Sequence, residues 1–258
     1  MSEKRRVLVY DDRASLIAGI ADRFVGVMTE VLAARDEASI VLTGGTVGIA
    51  VLAALGSPER VSLVDWERVH LWWGDERWLP AGDAERNDEQ AREAFLDRIG
   101  CPPANIHRFP SSDGPLDLDA AARAYSDELA RASGDGERHP AFDLVFLGVG
   151  PDAHIASLFP GREEIREREA TVIPVRNSPK PPPERLSLTL PVINSADRVW
   201  LCLSGTDKAT ALGLALAGAN VSEVPAAGAE GRLRTVFLVD STAAADVPQD
   251  LLTDGGVA

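Results

Sequence analysis

Leu147-Gly148-Val149-Gly150-Pro151-Asp152-Ala153-His154-Ile155-Ala156-Ser157-Leu158-Phe159-Pro160-Gly161 follows an apolar run at 142–147. Short apolar runs bounded by turn residues read as buried strands, so the chain leaves a strand at Gly148 and turns on backbone that glycine frees. The pattern predicts a short helix next, ended by Pro160-Gly161. Asp152 and His154 would then stand at the carboxyl edge of a sheet, where open α/β folds bind ligands. Similar apolar runs lie at 7–10, 40–42, 69–73, 172–175, 186–190, 199–203 and 235–239. Helical periodicity falls between most of them: after Ser15, read as an N-cap, through Leu16, Ile20, Phe24 and Val31, and again near 49–55, 87–99, 118–132 and 208–216. Alternating strands and helices predict an α/β fold with a mainly parallel sheet. Loops at 101–103, 111–115 and 133–136 are too short to link domains, and 1–258 reads as one domain.

Four strand-end segments carry candidate chemistry. His154 is one of four histidines, and the one that sits beside glycines with a carboxylate, Asp152, two residues away. Neutral imidazole can take a proton from water near physiological pH; Asp152 either orients it or caps the predicted helix. Gly44, Gly45 and Thr46 lie between a predicted strand and an apolar helix, where backbone N–H groups and the helix dipole suit an anion. Asp75-Glu76-Arg77 ends the strand at 69–73 between tryptophans, and a guanidinium there can clamp a phosphate through paired hydrogen bonds. Lys180 stands in Pro179-Lys180-Pro181-Pro182-Pro183, followed by Arg185. That tract excludes helix and central strand, and a stiff extended backbone would aim the lysine.

The balance of 26 basic against 40 acidic residues, net charge −14, argues against nucleic acid and anionic membrane as partners. An anionic small molecule stays possible, because a few cations in a low-dielectric cleft outweigh the global field locally. Cys101 and Cys202 have no CxxC or Cys/His neighbours, so neither a disulfide framework nor a zinc site is signalled. Lys4-Arg5-Arg6 leads into only a four-residue apolar run, too short for an export signal, and the cytoplasm is the expected compartment.

Together these segments resemble the 6-phosphogluconolactonase family, which shares a Rossmann-like fold, with helices on both sheet faces, with glucosamine-6-phosphate deaminases and ribose-5-phosphate isomerases. The resemblance spans nearly the whole chain: Thr43-Gly44-Gly45-Thr46, Asp75-Glu76-Arg77 with Pro80, residues 147–161, Ser178-Pro179-Lys180-Pro181-Pro182, and Gly205 with Lys208. It implies hydrolysis of 6-phosphogluconolactone, with water activated by His154. Arg77 and Lys180 would grip the phosphate, Gly44, Gly45 and Thr46 would line its pocket, and Asp75, Gly150 and Arg185 would complete the site. It also implies no metal and no organic cofactor. The chain departs from the family pattern at Val47-Gly48, where proline is usual, at Ala153 and Ile155, where glycine and threonine are usual, and at Arg86, where serine is common. A δ-lactone is an activated ester that needs a positioned water, a base and oxyanion donors; backbone N–H groups at Gly148–Gly150 are candidate donors. The competing readings are a glucosamine-6-phosphate deaminase-like isomerase and a non-catalytic sugar-phosphate binder.

Overall fold

The computed structural model describes residues 5–134, 136–245 and 247–248, so Lys4 and Asp135 of the segments above lie outside the described residues. In chain order the elements are β1 (Arg5–Tyr10), α1 (Arg13–Ala34), β2 (Ala38–Leu42), α2 (Gly45–Leu55), α3 (Pro58–Val61), β3 (Val69–Trp73), β4 (Asp75–Arg77) and α4 (Asn87–Ala94). There follow α5 (Leu118–Ser133), β5 (Leu144–Gly148), β6 (Val172–Val175), β7 (Arg185–Leu188), α6 (Leu190–Asn194), β8 (Arg198–Leu203), α7 (Ala209–Leu216) and β9 (Arg234–Asp240). Six strands form one sheet in the order β1-β9-β8-β5-β2-β3, and every pairing in it is parallel. Leu144, Val145, Phe146 and Leu147 of β5 are all buried. A strand covered on both faces has no polar side to show, which is why it reads as a continuous apolar run.

The structure corrects four sequence expectations. Segments 172–175 and 186–190 do not join the main sheet: β6 and β7 pair antiparallel with each other, and β7 pairs with β4, in a separate sheet ordered β4-β7-β6. The N-cap of α1 is Asp12, whose carboxylate accepts the N–H of Ser15 at 2.7 Å, so Ser15 is the capped residue rather than the cap. Residues 151–161 form turns and isolated bridges in place of the predicted helix. Asp152 therefore caps nothing. The proline tract is bent rather than extended, with the Ser178 N–H donating to the Pro183 carbonyl at 2.9 Å. No helix among the described residues is long and apolar enough to cross a membrane.

Candidate active site

Chain order along the main sheet reverses between β2 and β5: β2 leads outward to β3, whereas β5 leads the opposite way to β8 and β9. Ligand crevices of open α/β sheets lie at the carboxyl ends of strands at such switch points. A cleft of about 380 Å³ is found there. Every site candidate read from the sequence lines it except Asp152, which reaches it through His154.

From β2 the chain passes through Thr43 and Gly44 into α2, and Gly45 takes φ +78°, a left-handed conformation that glycine adopts without strain. No side chain caps α2, so its first amides remain available to an anion. Gly44 cannot carry a side chain, because a Cβ would lie 1.9 Å from Asn87 Oδ1. Gly48, in the Val47-Gly48 pair that stands where the family usually has proline, packs against Thr43, whose carbonyl would be 2.9 Å from an added Cβ.

The small sheet supplies the opposite wall. Asp75 and Arg77 alternate with Glu76 along β4, and their cross-strand partners on β7 are Ser187 and Arg185. Directly opposed residues share a face, so two guanidinium groups stand side by side at the cleft. Arg77 donates through Nη1 to the Glu85 carbonyl, and its buried Nε has no partner among the described residues. Asp75 Oδ2 accepts from Ser157 Oγ at 2.7 Å, bracing the histidine loop against β4. Glu76, on the other face, accepts from the N–H groups of Arg77, Asn87 and Asp88 at 2.7–2.9 Å. Burial, and then Asp88, push its carboxyl up to about 8, against the pull of Arg86 and the N–H groups of Asn87 and Asp88. Arg86, the departure from serine, is buried and makes a paired contact with Asp88 at 2.9 and 3.0 Å. It serves the footing of α4, not the cleft.

His154 Nδ1 lies 2.6 Å from Asp152 Oδ1, an acceptor that favours the tautomer with its proton on Nδ1; Nε2 has no hydrogen-bond partner among the described residues. Gly150 is obligatory beside it, since a Cβ there would fall 2.0 Å from Nδ1 and 2.4 Å from Asp152 Oδ1. Ala153, standing where the family usually has glycine, adopts φ +66°, a conformation that strains a residue bearing a Cβ. Ile155 is fully buried and bridges to Val149 and Leu158, so the usual threonine is replaced by a packing residue. The expected oxyanion donors are partly spent: the Gly150 N–H donates to the His154 carbonyl at 3.0 Å and that of Gly148 to Thr43 Oγ1 at 3.3 Å.

Lys180 Nζ lies 3.0 Å from Asp152 Oδ1 and 3.2 Å from His154 Nδ1. Burial opposes a charge on Asp152, yet the hydrogen bonds and charges of His154 and Lys180 hold its carboxyl well below the usual range. For a carboxyl depressed by folding, the stability it contributes is present above its unfolded value and disappears as pH falls through the folded one. Asp152→Asn is therefore expected to be less stable than wild type at neutral pH and to lose less Tm on acidification below about pH 4. Thermal melts across that range check both parts.

Sequence reading did not place Arg13, Asn87 or Lys208 in the site, yet all three line the cleft. Arg13 follows the carboxyl end of β1 and reaches the Thr46 carbonyl at 3.2 Å; the strand-end rule that selected Arg77 would also have found it. Asn87 is held by donation from Nδ2 to the Asp75 carbonyl at 2.9 Å. Among the described residues five cations, Arg13, Arg77, Lys180, Arg185 and Lys208, thus line one cleft of a chain whose net charge is −14.

Fold and cleft define a Rossmann-like α/β protein with several cations lining a cleft beside a histidine–carboxylate pair. A family model described as glucosamine-6-phosphate isomerases/6-phosphogluconolactonase matches residues 11–237, and the chain belongs to that family. It is 50% identical to a 6-phosphogluconolactonase of Streptomyces coelicolor, covering 97% of this chain and 98% of that one. It is 46% identical to a 6-phosphogluconolactonase of Mycobacterium tuberculosis, covering 93% and 97%. Among solved structures, the 6-phosphogluconolactonase of Trypanosoma brucei superposes with a TM-score of 0.82 at 28% identity, over 95% of this chain and 99% of that one.

Proposed function

We propose that the protein hydrolyses 6-phosphogluconolactone to 6-phosphogluconate, with His154 as general base. The observation that carries this reading is the His154 imidazole: Nδ1 faces Asp152 at 2.6 Å, while Nε2 has no partner among the described residues and stands at the wall of a cationic cleft. The names of the full-length relatives support the choice of lactone.

In the proposed reaction Nε2 takes a proton from water as its oxygen adds to the lactone carbonyl carbon. The tetrahedral intermediate collapses with cleavage of the bond from that carbon to the ring oxygen, which receives the proton from His154. Asp152 holds the tautomer and stabilises the imidazolium that forms in between. The remote phosphate sits on the Gly44–Thr46 turn and Arg77 and orients the ring, a use of binding by a part of the substrate that does not react. Lys180 keeps Asp152 ionised, and its flexible stem lets the ammonium turn to the phosphate as a second cation. The site is expected to work in the cytoplasm on a small diffusible substrate, within a single domain.

Arg77→Ala is expected to raise KM roughly 10- to 100-fold with kcat little changed, since a charge-assisted hydrogen bond of about 1.5–3 kcal/mol to the phosphate is the same in ground and transition states. Steady-state kinetics on freshly made lactone test it, and a loss confined to kcat would move Arg77 into the chemistry.

A further inference from the structure

Arg185 is buried on β7, and its hydrogen bonds run to the backbone of one loop. Nη2 donates to the carbonyls of Lys180 at 3.2 Å and Pro181 at 2.8 Å, and Nε donates to that of Pro182 at 3.2 Å. Its guanidinium carbon lies 5.6 Å from the centre of the Phe159 ring, and the same ring packs against His154 with centroids 4.6 Å apart. One planar cation therefore touches both the loop that bears Lys180 and the aromatic ring that backs the imidazole.

A bent tract with three prolines within residues 181–183 has few N–H groups with which to bond itself into place. Within it the Ser178 N–H donates to the Pro183 carbonyl and the Lys180 N–H to Ser178 Oγ at 3.3 Å. Carbonyls 180–182 are held from outside, by Arg185. Facing Arg77 across β4 and β7, the guanidinium is also set against a like charge, an arrangement unfavourable in itself. The carbonyl contacts help offset that cost and fix the group in place.

We propose that Arg185 is a positioning residue for the proposed hydrolysis, clamping carbonyls 180–182 so that Lys180 meets Asp152. The proposal rests on the lactonase reading. Arginine is needed rather than a cation as such, because a rigid fork reaches three carbonyls where an ammonium is a point charge.

The test is a double-mutant cycle on the full chain with freshly made 6-phosphogluconolactone, joined to amide hydrogen exchange of residues 176–186 without substrate. Arg185→Lys is expected to lower kcat/KM about 10-fold or more in the wild-type background, but less than about 3-fold when Lys180 is already alanine, because groups acting as one unit are not additive. Exchange across 176–186 should quicken in Arg185→Lys. A loss of the same size in both backgrounds would mean direct contact between Arg185 and substrate, and either that result, near-normal activity of Arg185→Lys, or unchanged exchange overturns the proposal. If Arg185→Lys does not fold, Arg185→Met carries the same comparison. A wild type that leaves the lactone untouched defeats the lactonase reading instead, and the exchange comparison still decides whether the clamp exists.

Discussion

Replacing His154 with glutamine is expected to lower kcat by roughly 10²–10⁴-fold, the usual worth of positioned proton transfer. Glutamine fills much of the imidazole volume and can still donate to Asp152, but its amide cannot accept a proton from water. Fold and affinity for the phosphorylated sugar should persist, because the groups assigned to the phosphate, the Gly44–Thr46 turn, Arg77 and Lys180, all lie outside the histidine loop. The loss therefore belongs in kcat, with KM almost unmoved. Rates need correction for spontaneous lactone opening, which rises with pH. A folded His154→Gln protein with kcat near wild type would end the general-base assignment and leave a carboxylate as the next candidate.

Gly150→Ala, one methyl group added to residue 150, should be nearly as damaging. The new Cβ would lie 2.0 Å from His154 Nδ1, 2.2 Å from Cε1 and 2.4 Å from Asp152 Oδ1. All three are side-chain atoms, so the fold can survive by moving them. Moving them separates the base from its carboxylate, and misplacement of a reacting group by about 1 Å costs about 10²-fold in rate. The expected result is a folded protein with kcat reduced about 100-fold or more and a broken contact between Nδ1 and Asp152. Imidazole nitrogen chemical shifts check the second point. Unchanged kcat would mean that the geometry between His154 and Asp152 is not used.

The sequence made the main sheet legible because a strand buried on both faces has no option but a continuous apolar run, as at Leu144–Gly148. The small sheet was harder to read. Asp75-Glu76-Arg77 carries three charges and looks like a solvated loop, yet Glu76 is buried against backbone N–H groups and all three residues form β4. Residues 151–161 misled in the opposite sense: Pro160-Gly161 resembles a helix stop, while φ values of +66° at Ala153 and +47° at Ala156 turn the backbone away from a helix. No propensity marks a left-handed alanine. Strand-end placement found the histidine loop, the glycine turn and Arg77, since those depend on connectivity alone. It could not show that Lys180 lies on Asp152 or that Arg185 holds three carbonyls, because both contacts are made across the bent proline tract.

The most direct measurement is the rate of acid release from freshly prepared 6-phosphogluconolactone with wild-type enzyme, with His154→Gln, and in buffer alone, beside the same series with unphosphorylated gluconolactone. The account predicts rapid, saturable hydrolysis of the phosphorylated lactone by wild type, a rate for His154→Gln lower by roughly 10²–10⁴-fold, and a much lower kcat/KM for the lactone without phosphate. Saturable binding of the phosphorylated sugar with no acid release above the buffer rate, or equal kcat/KM for the two lactones, would contradict it.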